Sequence, residues 1–121
     1  QVAHALALLA LNHLKQEKFA EAEPLLREAL TIRSEHLPDD WRTFQTQSLL
    51  GASLAGQEKN SDAEPLLISG YEGLAIRAAK IPPSVRATRL TEAIQLVIQL
   101  YDGWGKTQQA AAWREKLSQV K

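Results

Sequence analysis

Apolar residues recur along this chain at spacings of three and four, in blocks of helical length cut by short polar turns. No block alternates Val, Ile or Thr with polar residues as a half-buried strand would. Leu, Ala, Glu, Gln, Lys and Arg fill the blocks, and all are good helix formers. The pattern predicts six helices, over 2–16, 20–36, 40–56, 61–79, 84–102 and 107–119. The breaks carry turn chemistry. "LPDDW" (37–41) offers Pro38 and then Asp39 or Asp40 as an N-cap. "GQEKNSD" (56–62) offers Gly56, Asn60 and Ser61. "IPPS" (81–84) ends one helix and provides Ser84 to cap the next, and "DGWGKT" (102–107) ends on Thr107 as a further cap.

The blocks repeat. "EAEPLL" (21–26) lies over "DAEPLL" (62–67) when Ala22 is set on Ala63, a shift of 41 residues. Lys18 and Lys59 then coincide, and Lys106 stands at the same distance before Ala110, a third register shifted by a further 47. His13, Leu54 and Tyr101 share one position, and Leu9-Ala10 matches Leu50-Gly51. The longer second step falls around "AAKIPPSVRATR" (78–89). Each unit carries small residues where two helices must approach: Ala10, Gly51, Ala22, Ala63, Ala29 and Gly70. Glycine inside a helix is worse than alanine by about 1 kcal/mol, so close packing is the expected compensation at Gly51, Gly70 and Gly73. Pro24 and Pro65 recur inside predicted helices. With a helix start at Ala20 or Glu21, Pro24 is expected in the first turn, where backbone N–H groups lack intrahelical acceptors.

These residues resemble the tetratricopeptide repeat. Leu9/Ala10, Phe19, Ala22, Leu26 and Ala29 fit a first unit; Leu50/Gly51, Ala63, Leu67 and Gly70 a second; Tyr101, Gly105 and Ala110 a third, in which Ile98 replaces a small residue. "AEPLLREALTIR" with a period of about 42 looks like the kinesin light chain-type subfamily. "DDWRTFQTQSLLGASLAGQ" and "YDGWGKTQQAAAWREKL" look like C-terminal repeat tails of large bacterial proteins, notably Ser/Thr protein kinases. The resemblance implies an all-α fold, a right-handed superhelical solenoid of three helix–turn–helix repeats. It implies a single domain over 1–121, with repeats at about 2–38, 39–80 and 84–119.

Composition narrows the function. Lys+Arg and Asp+Glu balance at 14 each, so no net field draws the chain to nucleic acid or to an anionic membrane. Arg77, Arg86 and Arg89 lie without interleaved aromatics, against a nucleic-acid surface. No apolar run is long enough to span a bilayer. Without cysteine there is neither disulfide nor thiolate metal site, which suits a cytoplasmic location. His4, His13 and His36 form no ligand spacing, and Asp39-Asp40 reads as helix capping. No catalytic, cofactor or metal residues are expected. The chain starts with Gln and has no Met, which reads as a piece of a longer protein. "VAHALALLALNHL" is apolar nearly all round, so further repeats are expected before it, or self-association through it. "QQAAAWREKLSQVK" is polar on one side and reads as a terminal cap, with Trp104 and Trp113 covering the end of the stack and Trp41 packing near Leu37.

Stacked helical hairpins make a concave surface suited to binding a protein or peptide. In the family the first helix of each repeat lines it. Carried over by register, the lining is His4, Ala7, Leu8, Leu11 and Lys15, then Gln45, Ser48, Leu49 and Ala52, then Glu92, Gln95, Gln99 and Asp102. The function expected is a non-catalytic protein-interaction scaffold. The alternatives are a self-association or spacer module, or the regulatory tail of a bacterial Ser/Thr protein kinase. The Lys/Asn/Arg clamp of chaperone-binding repeats is missing from these positions, and so are the paired asparagines of kinesin light chain-type grooves, with Asn12 alone at a shifted place.

Overall fold

The structure, a computed structural model, describes residues 2–120. Six α-helices follow one another: α1 Val2–Lys15, α2 Phe19–His36, α3 Trp41–Gly56, α4 Asn60–Ile76, α5 Pro83–Trp104 and α6 Thr107–Ser118, with a 3-10 turn at Ala78–Lys80. Helices α1/α2, α3/α4 and α5/α6 form three antiparallel hairpins, and α2 against α3 and α4 against α5 join them into an all-α solenoid. The extra length before the third unit lies in the 3-10 turn and in α5, which runs 22 residues against 16 for α3.

The three hairpin turns are one structure made three times. Glu17, Glu58 and Gly105 adopt left-handed backbone, with φ of 59°, 63° and 78°. The next residues, Lys18, Lys59 and Lys106, donate their N–H groups back to the carbonyls of His13, Leu54 and Tyr101 at 2.8, 2.9 and 2.9 Å. The lysine carbonyls then accept from Ala22, Ala63 and Ala110 at 3.1, 3.0 and 3.1 Å. The first set closes one helix in a Schellman-type cap and the second opens the following helix. The shared register of these lysines and alanines is therefore a shared hydrogen-bond pattern. Only the third turn uses glycine at the left-handed position, where a side chain is unfavourable. Glu58→Gly is accordingly expected to raise stability by roughly 0.5–1 kcal/mol, seen as a melting temperature higher by about 3 °C. A lower melting temperature in calorimetry would contradict this.

The prolines sit deeper than the sequence suggests. Helices α2 and α4 begin at Phe19 and Asn60, so Pro24 and Pro65 are each the sixth helical residue, beyond the first turn. Each removes one intrahelical bond. The carbonyls left without a helical donor belong to Ala20 and Ser61, both exposed, where water can replace the missing N–H. Capping also differs from expectation at two helices. Asp40 does cap α3, accepting from the Arg42 N–H at 2.8 Å. Ser84 and Thr107 instead lie inside the first turns of α5 and α6, and neither helix has a side-chain cap bond.

One core runs through all three hairpins, through Ala10, Ala22, Leu26, Leu50, Leu54, Ala63, Leu67, Val97, Leu100, Tyr101 and Ala110. The small residues sit where the register places them, with Ala10, Ala22, Ala29, Ala63 and Ala110 wholly buried. At the position of Leu26 and Leu67 the third unit has Arg114, which turns out to an ion pair with Asp102. Helix α6 therefore adds little core, and it is the shortest of the six. A second cluster, Leu74, Ile81 and Ala93, gathers Trp41, Phe44 and Tyr71 around it, so Trp41 packs forward onto that cluster. Trp113 meets the Tyr71 ring edge-on at 5.2 Å, a contact between neighbouring hairpins. Trp104 carries the Lys106 ammonium 3.9 Å above its ring.

Candidate docking groove

Helices α1, α3 and α5 are the first members of their hairpins and line up side by side, and a groove of about 870 Å³ runs across them. Its floor is apolar: Leu11 and Leu14 from α1, Leu49, Ala52 and Ala55 from α3, Leu96 and Leu100 from α5. One wall is amide-rich, with Gln45 on α3 and Gln95 and Gln99 one turn apart on α5. Charge is confined to the ends and rims. Lys15, Glu17 and Glu58 stand at the hairpin-turn end. Arg89 and Glu92 lie on α5, with an ion pair between them at 3.1 Å. The Arg89 Nε is buried and has no acceptor among the described residues. That leaves a donor on the wall for a ligand carbonyl or carboxylate.

Of the expected lining, Lys15, Gln45, Leu49, Ala52, Glu92, Gln95 and Gln99 do face this groove, and so does Leu11. Ser48 does not. It is buried on the side of α3 turned to α4, with its hydroxyl against Gly70. Asp102 does not either. It shares the helix face of Gln95, but its carboxylate turns away to the Arg114 guanidinium of α6. His4 lines a different and smaller pocket, with Arg33, Leu37 and Arg42. Ala7 and Leu8 lie outside the groove as well, Leu8 on an exposed face of α1 together with Val2 and Leu9.

The groove has its depth at one end from a pair the register hides in plain view. Phe19 of α2 lies over Gly56 at the end of α3, where a β-carbon would fall 2.3 Å from the ring. Gly56 is thus a packing residue rather than the turn residue its neighbours suggest. One repeat later the same two positions hold Asn60 and Gly103, and nothing lies within 4 Å of the Gly103 β-position. Replacing the aromatic with asparagine leaves that face of α5 open, and both Asn60 and Gly103 line the groove. Comparing Phe19 with Asn60 in register would have located this end.

Among the described residues no group of three or more His, Cys, Asp or Glu could hold a metal ion. No helix among them is long and apolar enough to cross a membrane. No curated protein matches the chain. Residues 2–40, which span α1, α2 and the loop to α3, match the model of the tetratricopeptide repeat. That unit's turn geometry recurs at Glu58 and Gly105, and its paired-helix packing recurs in the two hairpins that follow. By that match, residues 2–40 carry a tetratricopeptide repeat, and the six-helix all-α architecture agrees with a solenoid of such repeats.

Proposed function

We propose that the groove across α1, α3 and α5 docks an extended or helical peptide segment of a partner protein, and that the chain acts as a non-catalytic scaffold. The observation that carries this is the combination of an apolar floor with the amide wall of Gln45, Gln95 and Gln99. Apolar side chains of a peptide would leave water on the floor. Glutamine amides offer both a donor and an acceptor to a peptide backbone. Glu17 and Glu58 at the turn end favour a basic residue there. Against a partner captured by this chain, the Gln45→Ala/Gln95→Ala/Gln99→Ala variant is expected to bind at least about tenfold more weakly, at an unchanged melting temperature. Titration calorimetry showing equal affinity would end this reading.

A second reading has one observation of its own. Val2, Leu8 and Leu9 leave an apolar stripe exposed on α1, at 63 %, 54 % and 48 %. Covering it with a second copy or with preceding repeats would remove that surface from water. Light scattering across a concentration series tests the first of these. The placement in the cytoplasm rests on the absence of cysteine, and that as the regulatory tail of a bacterial Ser/Thr protein kinase rests on the resemblance of the sequence alone. The coding sequence upstream of Gln1 decides the kinase placement.

A further inference from the structure

The groove uses the turn ends of α1 and α3; at their opposite ends lies a second pocket with different chemistry. It measures about 260 Å³ and is lined by His4, Arg33, Leu37 and Arg42. Arg33 is 7 % exposed, unusual for an arginine. Its Nη1 donates to the Thr46 hydroxyl at 2.9 Å, and that hydroxyl donates in turn to the Arg42 carbonyl at 2.8 Å. Among the described residues Arg33 forms no ion pair, so most of its N–H donors and its charge are unanswered. The nearby carboxylate is already committed. Asp40 Oδ1 accepts from the Arg42 N–H at 2.8 Å and from its Nε at 3.0 Å, and Oδ2 accepts from Nη2 at 3.3 Å. Two guanidiniums face one carboxylate, which leaves an excess positive charge on the pocket wall, with the unbonded Arg33 N–H groups turned to the pocket opening and Arg42 more than half exposed. Burial, and after it the charge of Arg42, lowers the Arg33 pKa, with Asp40 acting in the opposite direction. The first turns of α1 and α3 add positive helix ends to this field, and the negative end of α2, whose last turn carries Arg33, offsets part of it.

Buried charges are normally paired, because an unpaired one forfeits its hydration. We propose that this pocket is an oxyanion site, in which a phosphate or carboxylate group completes the charge of Arg33 and Arg42. The planar guanidinium matches either group through parallel N–H donors. The pocket has room for such a group and is separate from the groove, so occupancy of one does not require the other.

The probe is inorganic phosphate, with acetate as the carboxylate arm, each against chloride at equal ionic strength and neutral pH. About 20 mM phosphate is expected to raise the melting temperature by about 5 °C if binding is millimolar. General salting-out by phosphate adds stability to any variant. The deciding comparison is therefore Arg42→Gln, whose exposed side chain can be changed without touching the core. It should lose most of the shift, and Arg33→Met should lose it too. If Arg33→Met fails to fold, the Arg33 Nε–H resonance of the unaltered protein supplies the second readout, with a saturable change on adding phosphate or acetate. Saturation by either anion supports the site and identifies its class. No saturable response to both, or an equal shift in Arg42→Gln, overturns it.

Discussion

Replacing Gly70 with alanine is expected to lower the melting temperature by about 8 °C, the equivalent of roughly 2 kcal/mol. The sign is the informative part, because alanine is the better helix former by about 1 kcal/mol. Gly70 lies in the middle of α4, where α3 comes closest. A β-carbon there would stand 2.3 Å from the Ser48 hydroxyl oxygen, and 2.9 Å from both the Phe44 carbonyl oxygen and the Ser48 nitrogen. The hydroxyl can rotate away; the backbone atoms cannot, so α3 and α4 must separate. Opening that interface loosens Leu50, Leu54 and Leu67, all within 2 % of full burial. Gly103 is the control. It is also helical, and nothing lies within 4 Å of its β-position. Gly103→Ala should raise the melting temperature by about 3 °C. Thermal unfolding of the two variants side by side is the measurement. Two shifts of the same sign would show that helix propensity, not the distance between α3 and α4, governs both sites.

The contrast between these glycines shows what a single sequence reveals here. The repeat was legible because each unit solves the same local problem: Lys18, Lys59 and Lys106 close the same turn, and Ala22, Ala63 and Ala110 receive the helix that follows. Gln45, Gln95 and Gln99 were legible as groove residues because a helix face follows from a 3.6-residue period. Ser48 and Asp102 were misplaced because the lateral edge of that face depends on where α4 and α6 lie, which periodicity does not encode. Pro24 and Pro65 were read too close to the helix start. The left-handed turn that sets that start uses Glu17 and Glu58, residues that do not advertise a positive φ. Gly56 looked like turn chemistry because its partner, Phe19, comes from the preceding repeat. Arg33 gave no sign at all, since only tertiary burial separates it from a surface arginine.

The glutamate of each "AEPLL" segment fastens its repeat to the next, and removing the second is expected to weaken the protein by roughly 2 kcal/mol. Glu23 accepts from the Gln57 amide at 2.9 Å and stands 3.6 Å from Lys59, so α2 is tied to the second hairpin turn. Glu64, one repeat on, accepts from the Tyr101 hydroxyl at 2.7 Å, so α4 is tied to α5. Tyr101 is 3 % exposed. Glu64→Ala would leave its hydroxyl buried without that acceptor, the costly way to break a hydrogen bond. Tyr101→Phe removes the stranded group, so the double variant should be less destabilised than the two single losses together. Additive losses in urea unfolding would mean the pair is not coupled. The same bond sets an alkaline limit. Burial first, and then the Glu64 carboxylate, pushes the Tyr101 pKa up to about 12, against about 10 in the unfolded chain. A raised folded pKa means that this contribution is fully present below about pH 10 and is lost as pH rises toward about 12. Tyrosinate absorbance should therefore contain a step near pH 12 that Tyr101→Phe abolishes. The acid side runs the other way. The Gln57 amide, and then Arg27, hold the Glu23 pKa below the ordinary value, so its contribution is present above that value and fades as pH falls through the folded pKa. Inter-repeat stability should thus be lost at both extremes by different glutamates: at low pH through protonation of Glu23, and at high pH through ionisation of the tyrosine that Glu64 holds.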